Sequence, residues 1–130
     1  MASWKCAAGS TILIPSGPLG NHLFVVVIDP SDFDGHPKQS CISVSICSIR
    51  DIPYDKTCIV QPLEHPFIKH PSYVSFRNTR IDMASHLEKM ASDQSAFPQV
   101  DTSLELLTKI RSGILASKQT PNFYKLLLTP

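Results

Sequence analysis

The first half of the chain alternates short, β-branched apolar runs with turn residues: TILIP at 11–15, HLFVVVI at 22–28, CISVSICSI at 41–49 and TCIV at 57–60. Runs of this length, rich in Val and Ile, read as strands. The segments between them, SGPLGN, DPSDFDGHPKQS and RDIPYDK, carry the Gly, Pro, Asp and Ser of turns and loops. HLFVVVI is apolar almost throughout, as expected of a central strand covered on both faces, whereas CISVSICSI alternates more visibly. SYVSFRNTRI at 72–81 predicts a further long strand, with Tyr73, Ser75, Arg77 and Thr79 on one side and Val74, Phe76, Asn78 and Arg80 on the other. Consecutive strands joined by such loops favour an antiparallel sheet.

From Ala84 the pattern changes. ASHLEKM predicts the start of a short helix, SDQSAFPQV a loop around Pro98, and DTSLELLTKIRSGILA a longer helix with Leu104, Leu107, Ile110, Ile114 and Leu115 near helical spacing. Asp101 or Thr102 is suited to cap its start, Glu105 lies in its first turn, and Gly113 is a weak spot within it. The tail SKQTPNFYKLLLTP is apolar enough, at Phe123, Tyr124 and three leucines, to dock on the domain or on a partner.

With 130 residues, 42% of them hydrophobic, the chain fits a single domain over 1–130. Its parts are a β region over about 10–82, a helical segment over about 84–117 and a tail over 118–130. Twelve Lys and Arg against eleven Asp and Glu leave a formal charge of +1, so no global field gathers nucleic acid, and an RNA or DNA partner must be held by a local patch. The start MASWKCAAGSTILIPSG has neither a basic leader nor an unbroken apolar core, and no run approaches a membrane span. A soluble, cytoplasmic protein without a membrane partner is expected. Cys6, Cys41, Cys47 and Cys58 form no CxxC pair and read as reduced thiols, with Cys41 and Cys47 on one face of a strand.

The chain has no Gly-rich phosphate loop, HExxH, GxSxG or C2H2 spacing. Candidate chemistry gathers instead in HPFIKHPSYVSFRNTR at 65–80. His65 and His70 beside Glu64 could suggest a metal, but Pro66 and Pro71 deny them a fixed helical or strand relation, so neither a metal nor a cofactor is expected. Cys47 near a histidine could act as a thiolate, although a cysteine inside an apolar strand is more often packing. The imidazoles can exchange protons near neutral pH, while Lys69, Arg77 and Arg80 can hold phosphate or carboxylate oxygens. Together they suit an anionic ligand. The plainer reading makes the histidines turn residues before prolines and the cations a solvated strand face.

The order of elements is strand TILIPSG, a glycine loop, strand GNHLFVVVI, a long loop, strand CISVSICSI, strand SYVSFRNTRI, a short helical piece and the helix TSLELLTKIRSGIL. This order, over roughly residues 10–116, resembles the PemK/MazF-like toxins of type II toxin-antitoxin systems. The resemblance implies a small SH3-like antiparallel β-barrel with a C-terminal helix, and metal-independent cleavage of single-stranded RNA. In that family a G-x-R-P turn precedes the second strand and P-I-T-S ends the third; GNHLFVVVID at 20–29 and SICS at 45–48 occupy those positions. The implied site pairs the arginine of the first motif with the Thr or Ser of the second. His22 and Leu23 stand in the first and Cys47 and Ser48 in the second, so Ser48 alone carries over.

Metal-free RNA cleavage needs a base, an acid and a cation. The expected site is therefore His22 as base, His65 or His70 as acid, Arg77 or Arg80 as phosphate clamp and Ser48 beside them. Lys69 and Arg80 would help hold the substrate, and Tyr73 would stack on a base. An antitoxin protein and a second copy of the chain, met at a sheet edge or a helix, are the expected partners. The alternative is a non-catalytic binder on the same barrel, such as a CcdB-like toxin acting on DNA gyrase or a phage- or plasmid-associated regulatory module.

Overall fold

A computed structural model of the protein describes residues 4–15 and 20–128. Positions 16–19 of the expected SGPLGN turn lie outside the described residues. The fold is mainly β: a curled, six-stranded antiparallel sheet, in effect a half-barrel, followed by helices. The strands are β1 (Thr11–Pro15), β2 (Asn21–Val26), β3 (Ser40–Ser48), β4 (Ile59–Val60), β5 (Ser72–Met83) and β6 (Phe97–Gln99). Helix α1 (Ala84–Ser92) follows β5 directly, α2 (Leu104–Ala116) follows β6, and α3 (Asn122–Leu128) occupies the tail. The spatial order β4-β5-β3-β2-β1-β6 puts β3 and β2 in the middle.

The two-residue side-chain period of the strands sorts the core into two clusters, one on each face of the sheet. The row Leu13, Leu23, Ile46, Val74 faces α2, whose Leu106, Leu107, Ile110 and Ile114 complete the larger cluster. On the other face Ile12, Ile14, Phe24, Val26 and Cys41 pack against Ala84 and Leu87 of α1. Each fully buried aliphatic side chain of this kind is worth about 1.5–3 kcal/mol relative to exposure. The helix α2 lies close to β5 because Gly113 has no Cβ. A methyl there would sit 2.5 Å from Cζ of the fully buried Phe76.

Four local features differ from the sequence expectation, each for a physical reason. The loop SDQSAFPQV contains a strand, β6, which is recruited by long-range pairing to β1. Ser103, not Asp101 or Thr102, caps α2, its hydroxyl accepting the Leu106 amide at 3.1 Å. The tail forms a helix, and Tyr124, Leu127 and Leu128 dock it on the larger cluster.

The fourth difference is in β5. Three residues of β3, Ser43 to Ser45, stand opposite six of β5, Ser75 to Arg80. This bulge is held by the Thr79 hydroxyl donating to the Phe76 carbonyl at 2.6 Å and the Asn78 amide donating to the Ser75 hydroxyl at 2.7 Å. It breaks the alternation, so Arg80, paired with Ser43, shares a face with Ser75 and Tyr73 instead of opposing them.

Both edges of the sheet are blunted. The Ile59 carbonyl of β4 accepts the Lys109 ammonium, which also pairs with Glu64 at 3.1 Å. On the far side β6 has Pro98 at its centre and no N–H there. Among the described residues no helix is long and apolar enough to cross a membrane.

Candidate functional site

At one end of the sheet the start of β2, the end of β3 and the start of β5 meet, and the antiparallel register aligns their side chains. Cys47 pairs with Tyr73, and the neighbouring pair Leu23 with Ile46 puts His22 beside Cys47 on the same face. The row His22, Cys47, Tyr73 is thus a product of strand pairing. The loop after β3 brings Arg50 and Ile52, and the loop after β4 brings residues 67–70, to this end of the sheet. The result is a cavity of about 520 Å³.

Leu23, Ile46 and Ile68, members of the larger apolar cluster, line it together with Phe67 and Ile52. Polar groups converge on it from each strand end: Asn21 and His22, Cys47 and Ser48, Ser72 and Tyr73, with Arg50, Lys69 and His70 from the loops. Among the described residues none of its walls is an Asp or Glu. Two permanent cations and two imidazoles around a partly apolar recess suit an anionic ligand with an apolar part.

Burial pushes the Tyr73 phenol above its ordinary value, and Cys47 adds to the rise by its charge and by a side-chain hydrogen bond, while Arg77 and Arg50 oppose it. Tyr73 is therefore a neutral hydroxyl donor at physiological pH. Arg77 is exposed on β5 near this hydroxyl and does not line the cavity.

The expected site residues divide clearly. His22, Ser48, Lys69, His70 and Tyr73 come together on the cavity. His65 does not: it is 2% exposed, and both ring nitrogens are used. Its Nε2 lies 2.7 Å from the Val100 carbonyl and its Nδ1 accepts the Phe67 amide at 3.0 Å. The ring is therefore the neutral tautomer with its proton on Nε2, a bonded structural group instead of an acid facing the cavity. Arg80 is also elsewhere, because the bulge turns it onto Phe24, 5.4 Å from the ring centroid, and two bonds of 2.7 and 3.0 Å tie it to Asp82. Asp82 first, against the opposing effect of burial, raises its pKa, so it stays a cation held by its own carboxylate.

Sequence reasoning missed Arg50 and Asn21 and discounted Cys47. A signal was available for Arg50, which stands two residues after Ser48 in the loop that leaves the same strand end. Among the described residues no group of three or more His, Cys, Asp or Glu side chains gathers in a way that could hold a metal ion. No protein-family model matches the chain, and no curated protein matches it in sequence.

Proposed function

We propose that the cavity binds a nucleotide of single-stranded RNA and that the protein is a metal-independent endoribonuclease of the toxin type. The observation that carries this reading is the convergence of His22, His70, Arg50, Lys69, Ser48 and Tyr73 on one recess that no Asp or Glu among the described residues lines. His22 takes the proton of the ribose 2′-hydroxyl, whose oxygen attacks the adjacent phosphorus. His70 gives a proton to the departing 5′-oxygen, and Arg50 and Lys69 hold the charge that builds on the phosphate. The bond broken is P–O5′ and the bond formed is P–O2′, so the products are a 2′,3′-cyclic phosphate and a 5′-hydroxyl. The resemblance to PemK/MazF-like toxins supplies the wider setting, in which a separate antitoxin protein neutralises the activity.

The test is incubation of the purified chain with a labelled single-stranded RNA in EDTA, with the ends of the products analysed. Cleavage to cyclic-phosphate ends, reduced about a hundredfold or more by His22→Ala or His70→Ala, is the expected result. Intact RNA, or cleavage by the double variant at the wild-type rate, overturns it. Binding without cleavage would favour the non-catalytic reading of the same cavity, and growth arrest with intact cellular RNA would favour a binding toxin.

A further inference from the structure

Just outside the cavity wall the ring of Tyr54 lies 5.2 Å from that of Tyr73, tilted by 34°. The Lys56 ammonium is 5.6 Å from the centroid of the Tyr54 ring. We infer that Tyr54 and Lys56 form a second subsite, in which the base next to the one in the cavity stacks on Tyr54 and Lys56 turns to its phosphate. The site then takes a short single strand and not a lone nucleotide. The inference rests on the reading of the cavity as a nucleotide site, and adds the direction in which the strand leaves it.

Three observations carry it. The aromatic surface is continuous, because Tyr73 belongs both to the cavity wall and to the ring pair. The loop that presents Tyr54 is pinned: Asp55 accepts the amide of Thr57 at 2.9 Å, its hydroxyl at 2.5 Å, and the hydroxyl of Ser117 at the end of α2 at 2.5 Å. A stacking platform on so fixed a loop loses little freedom on binding. Lys56 stands at the Tyr54 ring and the exposed cations Arg50 and Arg77 act on Tyr73 beside it, while the neighbouring Asp55 is buried and Asp51 is the exposed acid of the loop. Alternating aromatic rings and cations is how sequence-tolerant single-strand binders follow a backbone.

The test compares two probes that cannot be cleaved, 2′-O-methyluridine 3′-phosphate and a 2′-O-methyl penta-uridylate, by competition against a fluorescent copy of the latter. With the wild-type chain the pentamer binds more tightly than the monomer. Tyr54→Ala weakens the pentamer about tenfold and leaves the monomer unchanged, while Tyr54→Phe binds both as wild type does. Lys56→Ala, at an exposed position, lowers the slope of log affinity against log salt for the pentamer by about 0.7.

Equal affinity for the two probes, or unchanged pentamer binding by both Tyr54→Ala and Lys56→Ala, overturns the second subsite and leaves the cavity reading intact. Failure of the wild-type chain to bind either probe overturns the cavity reading and this inference with it.

Discussion

The Nε2 of His65 donates to the carbonyl oxygen of Val100 over 2.7 Å, joining the segment after β4 to the segment after β6. The same carbonyl accepts the Thr11 hydroxyl at 2.7 Å. One buried imidazole thus ties together the two ends of the half-barrel, although 35 residues separate it from its partner. It also shapes the cavity, since its ring and its carbonyl take the amides of Phe67 and Ile68, next to Lys69 and His70.

His65→Ala is expected to lower stability by about 3 kcal/mol, because it empties a buried site and leaves the Phe67 amide unpaired. Urea denaturation measures this. RNA binding weakens too, through loosening of residues 67–70, yet any residual cleavage keeps the wild-type pH profile. A lost limb in that profile would instead make His65 the proton donor.

Asp55 ties the Tyr54 loop to the end of α2. Burial pushes its carboxyl up, but the hydroxyls of Ser117 and Thr57 and the Thr57 amide outweigh it and hold the folded-state pKa below the ordinary value of 3.8. A group depressed in the folded state contributes stability that is present above its ordinary pKa and lost as pH falls through the lower folded value. Asp55→Asn should therefore cost about 2 kcal/mol at neutral pH and flatten the fall in stability on the acid side of pH 4. Thermal unfolding between pH 2 and 7 tests both; an unchanged acid limb would assign the loss to other carboxylates.

Gly113→Ala sets two effects against each other. Alanine is better than glycine in a helix by about 1 kcal/mol. Against that, its Cβ would lie 2.5 Å from the Phe76 ring, which is wholly buried and has nowhere to go. Overpacking wins, with a net loss of about 1–2 kcal/mol. Phe76→Leu opens the same space, so the double variant should be more stable than the sum of the singles by about 1 kcal/mol. Additive losses in denaturant melts would mean that the helix shifts instead of meeting the ring.

Cys47 is half-exposed on the cavity wall, whereas Cys6, Cys41 and Cys58 are buried. Burial, aided by Glu64 and Asp55 and opposed by Lys109, pushes the Cys58 thiol up to about 11. Hydrogen bonding to Cys41, together with burial, also raises the Cys6 thiol. Iodoacetamide should label Cys47 first, read by peptide mass mapping, and the adduct should block RNA binding by filling the recess. Cys47→Ser should retain cleavage within about threefold, since the proposed proton transfers run through His22 and His70. A collapse of activity in that variant would move the chemistry to sulfur.

The strands were legible where β-branched runs meet turn residues, and α2 where the apolar period is helical. What could not be read depends on distant contacts. Phe97, Pro98 and Gln99 have no strand signature of their own and become β6 by pairing with Thr11, Ile12 and Leu13. The bulge that redirects Arg80 depends on a mismatch with β3. His65 and His70 look alike in sequence, each standing before a proline, and the Val100 carbonyl is what separates a buried tie from an exposed cavity residue. His22 and Ser48 were singled out by the motif positions of the family resemblance and Tyr73 by its ring, and strand pairing brings all three to the cavity, whereas Arg50 and Tyr54 were read as ordinary loop.

The blunted margins of the sheet bear on how other chains can recognise this one. Main-chain ladders are generic: any extended peptide can add to an open strand, and mutation barely alters its hydrogen bonds. With Lys109 over Ile59 on one side and Pro98 within the other, little of that generic contact is on offer. A second copy or an inhibitor must then read side chains on the faces and loops, where a few substitutions can change the choice of partner.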